Sequence, residues 1–298
     1  MNNFSKKILI YGVNGFIGKN LVVELIKANY DVYAISSSNK IDIANKDSKY
    51  FKKCKFIKID KLKKIDIKFA FLNSSPNNKE TKIACFQKSM DEYKKVLSNL
   101  NKKVVLVYLS SGIVCFEKNF DTGNRLYRSY KRKMENIILK NSIKNANTYK
   151  IMRIFSIYGP YMCLKKYAIG FLISSINKKT YSSLRTDGDF YRDYIFVKDL
   201  IKIIKSEIIN PRSIIINISS KKFQFKYLCK QFCKLNNFKN LMLFGDKKDT
   251  FQKYYIDNRG FKKDYPKFNF TPLNKSLLLT LNWFKKAEYI NFKINYEK

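Results

Sequence analysis

The first half of the chain alternates two hydrophobic patterns. Short, nearly continuous apolar runs, KILIY at 7–11 and DVYAIS at 31–36, read as strands buried on both faces. Between them, FIGKNLVVELIKAN at 16–29 places its apolar residues at helical spacing. KFIKID (55–60) and KFAFLN (68–73) continue as strands, FQKSMDEYKKVLSNL (86–100) as a helix and KVVLVYLSS (103–111) as a strand. NRLYRSYKRKMENIILK (124–140) is the next helix, and TYKIMRIFSIYG (148–159) holds the strand after it. Strands alternating with helices predict an α/β fold whose parallel sheet is covered on both faces. Past residue 160 the pattern loosens. This predicts one domain over 1–160, completed by strands near 190–220, and a smaller interleaved region over 161–298.

Composition changes this picture little. The chain has 298 residues, and 45% of them are hydrophobic, ample for a core. The formal net charge of +37 comes mostly from Lys spread along the whole length. Such a surface attracts anions. No basic tail or arginine-rich arm concentrates it, so solvated lysine faces are expected and no specific nucleic-acid partner. Histidine is absent, which excludes His-based acid–base catalysis, Ser-His-Asp triads and most zinc sites. Proton chemistry must use Tyr, Lys, Asp, Glu or Cys, and no metal site is expected. The six cysteines form no CxxC pair and read as reduced, mostly buried thiols. The apolar run near the N-terminus meets glycine after four residues, too short for a signal sequence or a membrane span. A soluble, cytoplasmic protein is expected.

YGVNGFIGKNL puts Gly12, Gly15 and Gly18 between the first strand and its helix, in a chain with only ten glycines. Glycine permits a tight turn and lets a pyrophosphate approach the helix N-terminus, where unpaired N–H groups and the dipole favour anions. That placement predicts a Rossmann-like, doubly wound sheet that binds a dinucleotide. The second strand ends in Ser36, Ser37, Ser38, Asn39 and Lys40. A carboxylate there would bind ribose hydroxyls and repel a 2′-phosphate. Hydroxyls and a lysine instead favour NADP over NAD, although an ordinary polar loop has the same composition.

Tyr127 and Lys131 are four apart on a predicted helix and share a face. Free tyrosine, with a pKa of about 10, is a poor base at neutral pH; a nearby ammonium favours the phenolate and makes proton exchange feasible. The YxxxK spacing recurs at Tyr161–Lys165, Tyr194–Lys198 and Tyr289–Lys293. Only Tyr127–Lys131 follows a strand ending in two serines, Ser110 and Ser111, and has a glutamate, Glu135, four residues past the lysine. Tyr130 sits beside the lysine in sequence and is expected to pack or face solvent. Ser110 and Ser111 could also serve as turn or helix caps.

These motifs together resemble the extended short-chain dehydrogenase/reductases, the NAD-dependent epimerase/dehydratase family that modifies nucleotide sugars. The GxxGxxG loop, VYLSSGIVCF (107–116), Y-x-x-x-K-x-x-x-E, MRIFSIYGP (152–160), DGDFYRDYIFVKDL (187–200) and the closing Pro272 and Trp283 occur in the family's order over nearly the whole chain. The resemblance implies a smaller C-terminal α/β substrate domain, a nucleotide-sugar substrate and a homodimer formed through a helix pair, with helix 126–140 a candidate. It places Ser111, Tyr127 and Lys131 as catalytic residues. It places Gly12, Gly15, Phe16, Ile17, Gly18, Ser36, Lys40, Asp60, Asn73, Tyr127, Lys131 and Phe155 at the cofactor. Ser111, Ser156 and Arg192 fall at the substrate, Arg192 gripping the nucleotide diphosphate. Ser156 stands where the family has asparagine. Asp60 matches an acidic residue near the adenine and could equally cap a helix. Arg192 and Asp193 could form a local ion pair, and the Ser111–Tyr127 segment is shorter than usual.

Within the family, dehydratases carry an Asp-Glu pair just after the catalytic hydroxyl, and decarboxylases a glutamate. Here Gly112, Ile113 and Val114 follow Ser111. Reductases that also epimerise use Cys and His, and His is absent. What remains is NADPH-dependent reduction of a keto-sugar, slightly preferred, or a 4-epimerase cycle on NAD. A non-catalytic nucleotide- or nucleic-acid-binding protein is the rival from another class.

Overall fold

The computed structural model describes residues 7–76, 82–116, 122–165, 167–178, 180, 182–210, 212–238, 242–248 and 253–297. In chain order the elements begin β1 (Lys7–Tyr11), α1 (Phe16–Lys27), β2 (Asp31–Ile35), β3 (Lys40–Ala44), α2 (Ser48–Phe51), β4 (Lys55–Phe56), β5 (Phe69–Leu72), α3 (Ile83–Ser98) and β6 (Val105–Ser111). They continue α4 (Thr122–Asn145), β7 (Thr148–Ile154), β8 (Ser156–Tyr158), α5 (Ala168–Lys178), β9 (Ser182–Thr186), β10 (Tyr191–Phe196), α6 (Val197–Ile208), β11 (Ile214–Ile218) and β12 (Lys222–Gln224). Last come α7 (Phe225–Asn236), β13 (Met242–Lys247), β14 (Lys253–Tyr254), α8 (Arg259–Asp264), α9 (Leu273–Lys286) and β15 (Tyr289–Lys293).

The chain divides into two compact units. One comprises Met1–Arg153, Ile201–Ile216 and Glu288–Lys298; the other comprises Ile154–Leu200 and Asn217–Ala287. The first is built on a seven-stranded sheet in the order β11-β7-β6-β5-β1-β2-β4. The pairs β2·β4, β1·β2, β1·β5 and β5·β6 are parallel. The strand order runs outward in both directions from β1, as in a Rossmann-like doubly wound fold, and ligands of such sheets bind at that reversal, beyond the carboxyl ends of the strands. The glycine loop lies at that end of β1. The strands are nearly wholly buried because helices cover them: Ile8, Leu9 and Ile10 of β1 are completely inaccessible, as are Leu106, Val107 and Tyr108 of β6. The second unit is a smaller α/β assembly in which β10 joins β8, β12 and β14, and β13 pairs with β9.

Helix α1 ends two residues before the apolar period does. Asn29 takes a left-handed φ of 59°, and the Asn29 and Tyr30 amides bond back to Ile26 and Leu25. Asparagine tolerates that conformation, which closes the orphan carbonyls of the last turn. The strand predicted over 55–60 is paired only at Lys55–Phe56, and Ile59–Lys64 coils into a 3₁₀ helix. Strands β3 and β15 escape the linear pattern. They pair with each other antiparallel, Lys40 opposite Lys293 and Ala44 opposite Tyr289.

Candidate active site

The three glycines do different work. Gly12 has φ +100°, and a Cβ there would stand 2.2 Å from the Asn73 side chain and 2.6 Å from the Ser74 amide nitrogen. A Cβ on Gly18 would stand 2.3 Å from the Gly12 carbonyl oxygen. Both are therefore required by the chain's approach to itself. Gly15 differs. It is exposed at the N-cap of α1, and a Cβ there would meet only the Gly12 oxygen, at 3.3 Å. Its open face, at a helix N-terminus led by Phe16 and Ile17, fits the approach of a dinucleotide's pyrophosphate. Asn73 stands between this loop and the end of β5: with its amide nitrogen turned to the Gly12 oxygen at 3.2 Å, its oxygen can accept from the Gly18 N–H at 3.1 Å. Asn73 thus shapes the cradle from behind.

The loop after β2 is built from internal hydrogen bonds. The single Ser36 Oγ proton has two acceptors in reach, Asn14 Oδ1 (3.0 Å) and the Ser38 carbonyl (2.8 Å), and the oxygen accepts from the Ser38 N–H (3.1 Å). Ser38 Oγ repeats the pattern with Lys40. Ser36 therefore joins this loop to the glycine loop, while Ser37 through Lys40 are exposed. Asp60 is exposed in the first turn of the 3₁₀ helix, whose N-cap position is Lys58 without a side-chain cap. The capping role considered for Asp60 is not the one it takes.

Lys131 is the electrostatic centre of the site. Helix α4 packs on β6, and Lys131 points inward with only 2% exposure. Its Nζ donates to the Leu109 carbonyl at 3.0 Å and lies 5.0, 5.6 and 5.9 Å from the ring centres of Tyr108, Tyr127 and Tyr130. Aromatic faces favour a cation. Burial opposes it and prevails over the attraction of Glu135, so the amine's pKa is lowered from 10.5 to about 7. Tyr127 is half-buried beside it. Tyr130 is buried, bonded to Ser89 Oγ at 2.9 Å and packed against Phe86, and burial raises its pKa. Of the two tyrosines in this helix, Tyr127 alone keeps an accessible face.

The paired serines also diverge. Ser111 Oγ accepts from the Ile113 N–H at 3.4 Å, capping the 3₁₀ turn Gly112–Cys115. Ser110 turns inward and donates to Glu135 at 2.6 Å. Glu135 also takes the Arg153 guanidinium through Nε (3.0 Å) and Nη2 (2.7 Å). This Ser110–Glu135–Arg153 network fastens the end of β6 to α4 one helical turn past Lys131. The turn after Ser111 is apolar: Gly112, Ile113 and Val114 are all buried. The shortened segment noted between Ser111 and Tyr127 lies partly outside the described residues, at 117–121.

The other YxxxK copies are separated by local structure. Tyr161 sits in a turn with φ 68°, Tyr194 is on β10 with Lys198 on α6, and Tyr289–Lys293 lie along β15. Only Tyr127 and Lys131 share a helix.

Phe155, Ser156 and Arg192 belong to the second unit. Phe155 packs against Tyr254, and Ser156 opens β8 opposite Tyr194. The Arg192 guanidinium lies 4.4 Å from the Phe190 ring centre and donates to the Tyr191 carbonyl at 2.9 Å. Its neighbour Asp193 is buried and held by Ser219 and by the backbone and hydroxyl of Ser220. Burial raises its pKa, against those hydrogen bonds. Adjacent strand residues face opposite sides, which gives these two side chains separate surroundings.

The sequence profile of the NAD dependent epimerase/dehydratase family matches residues 8–218. No curated protein sequence matches the chain. Solved structures share the fold. A UDP-glucuronic acid 4-epimerase from Bacillus cereus, in complex with UDP-glucuronic acid and NAD, is 19% identical; the match covers 94% of this chain and 99% of that one, with a TM-score of 0.76. A UDP-glucose 4-epimerase from Thermotoga maritima with UDP-glucose gives 17%, 94%, 99% and 0.77. A dTDP-glucose 4,6-dehydratase from Bacillus anthracis in complex with NAD gives 19%, 95%, 97% and 0.73. Among the described residues no helix is long and apolar enough to cross a membrane.

Proposed function

The chain belongs to the NAD-dependent epimerase/dehydratase family, and we propose that within it the chain reduces a nucleotide-linked keto-sugar. The observation that carries this is the setting of Lys131, buried under the half-exposed ring of Tyr127 at the end of a strand that closes in Ser111. A reduced nicotinamide dinucleotide held at the glycine loop would supply the hydride for the keto carbon. Tyr127 donates its phenolic proton to the carbonyl oxygen as charge develops there. Lys131 in its protonated form stabilises the phenolate left behind, and Ser111 orients the oxygen. The buried, apolar Gly112–Val114 turn offers no carboxyl group for the further proton transfers of a dehydration.

The cofactor is assigned to Gly12, Gly15, Phe16, Ile17, Gly18, Ser36, Lys40, Asp60, Asn73 and Phe155, with NADP preferred because Lys40 is exposed and no carboxylate stands among Ser36–Lys40. Ser156 and Arg192 are assigned to the substrate. The second unit is assigned to substrate binding, and a homodimer is assigned through α3 and α4, which pack together and expose Ile83 (69%) and Ile143 (82%). A second reading is a 4-epimerase with tightly bound NAD, in which Tyr127 first acts as base. It draws support from the similar folds crystallised with nucleotide sugars and NAD.

The test is incubation with a panel of nucleotide sugars and nucleotide-linked 4-keto sugars, with NADPH and with NAD in turn. Stoichiometric NADPH consumption with formation of the reduced sugar is expected. Tyr127→Phe should lose about 10²-fold or more in turnover while still binding dinucleotide. Isomerisation without net cofactor change would overturn reduction in favour of epimerisation.

A further inference from the structure

The loop 36–40 holds no apolar side chain, and four of its five residues are exposed. Packing cannot fix such a loop; hydrogen bonds must. Part of the answer is internal, through Ser36 and Ser38. Asn14 of the glycine loop adds a contact to Ser36, and a segment about 260 positions further along the chain takes the carbonyls. The Tyr296 hydroxyl lies 3.2 Å from the Ser36 carbonyl and 3.3 Å from the Ser38 carbonyl. The Ile294 N–H donates to the Asn39 carbonyl at 2.8 Å. Three of the loop's five carbonyls are thus turned toward one segment.

That segment is firmly seated. Tyr289–Lys293 pair with all five residues of β3. The Asn45 N–H donates to the Glu288 carbonyl, and the Glu297 N–H to the Phe56 carbonyl, each at 2.7 Å. Phe292 packs against Phe51 and Phe56, with ring centres 6.1 and 6.4 Å away, and Ile294 is buried. Lys293 stands opposite Lys40 at the loop's end, and Ile294 and Tyr296 reach the residues before it.

The consequence follows from peptide geometry. In a trans peptide the N–H points opposite to the carbonyl of the preceding residue, and the described chain has no cis peptides. Fixing the Ser36 and Ser38 carbonyls toward Tyr296 therefore aims the Ser37 and Asn39 amides away from it. N–H groups oriented in this way, in an exposed loop that ends in a lysine, can donate to an anion. We infer that the segment 288–297 is a positioning element for the cofactor's adenosine end. Tyr296 is the positioning residue that presets loop 36–40 for a ribose 2′-phosphate. The inference rests on the dinucleotide assignment made above.

The test measures dissociation constants of NADP⁺ and NAD⁺ by calorimetry for the full chain and for Tyr296→Phe, with thermal unfolding alongside. Removing one shared hydroxyl should weaken NADP⁺ binding about fivefold while NAD⁺ binding changes less than about twofold and Tm moves by less than about 2 °C. Phe292→Leu, which thins the seat without touching the loop, should lower Tm while leaving the NADP⁺/NAD⁺ ratio in place. Unchanged affinities in Tyr296→Phe overturn the inference, as does an equal loss for both cofactors, which marks a merely structural role. A wild-type chain that binds NAD⁺ alone also overturns it and leaves the dinucleotide fold assignment standing. A wild-type chain that binds neither overturns both.

Discussion

Lysine 131 makes a quantitative prediction. Its amine is buried, and burial lowers its pKa from 10.5 to about 7 in the folded chain. Between those values the unfolded chain holds a proton that the folded chain does not. Unfolding free energy must then rise with pH through this window, by about 1.4 kcal/mol per pH unit for one proton. Below about pH 7 both states are protonated, the slope vanishes and the full penalty of burying the charge is present. Lys131→Met removes the group and keeps an unbranched chain of similar length. The other titrating groups are common to both proteins, so the difference between them isolates this one. The variant's gain over wild type should be largest below about pH 7 and should shrink by about 2.7 kcal/mol between roughly pH 7.5 and 9.5. Loss of the bond to the Leu109 carbonyl shifts the curves by a constant and leaves the slope alone. Urea denaturation of both proteins across that range measures it. A difference that stays flat would show that the three tyrosine faces and the Leu109 carbonyl hold the ammonium protonated. The argument that burial prevails would then be wrong.

Two further outcomes follow from close contacts elsewhere. Gly18→Ala must push a Cβ into the Gly12 carbonyl and should lower both Tm and dinucleotide affinity. Gly15→Ala meets no such obstacle and should lower affinity about tenfold with Tm nearly unchanged; calorimetry and thermal unfolding separate the two, and equal behaviour would refute the division of labour among the glycines. Lys150 is fully buried, with its ammonium 2.8 Å from Glu207 Oε2, 2.6 Å from the Asn210 carbonyl and bonded to the Arg212 carbonyl. Lys150→Met takes the 2.8 Å ion pair from the buried Glu207, whose other partners include Arg212 at 3.4 Å, and should cost about 3–5 kcal/mol in urea denaturation; a loss under about 1 kcal/mol would mean that the remaining partners compensate.

The doubly wound core is legible in the residue pattern alone. Runs such as KILIY and VLVYLSS are apolar on both faces, and only a sheet covered on both sides hides both. The sequence also singled out the glycine loop and Tyr127–Lys131, because a helix turn of four residues and a strand-to-helix glycine turn are local geometries. Tertiary structure decided what depends on distant partners. The pairing of β3 with β15 joins residues about 250 apart; each strand shows period-2 apolar positions, yet five residues of that pattern name no partner. Glu135 looked like a motif glutamate, and only the fold shows it fastening Ser110 and Arg153. Tyr108 read as one more apolar position in its strand, and its face over Lys131 exists only because α4 lies across β6. Tyr130 is expected to pack or to face solvent, and its burial against Ser89 and Phe86 decides between the two. The residue types capable of the chemistry are written locally. Their charge states and the loops that hold them arise from burial and long-range hydrogen bonds, which depend on which surfaces the fold brings together.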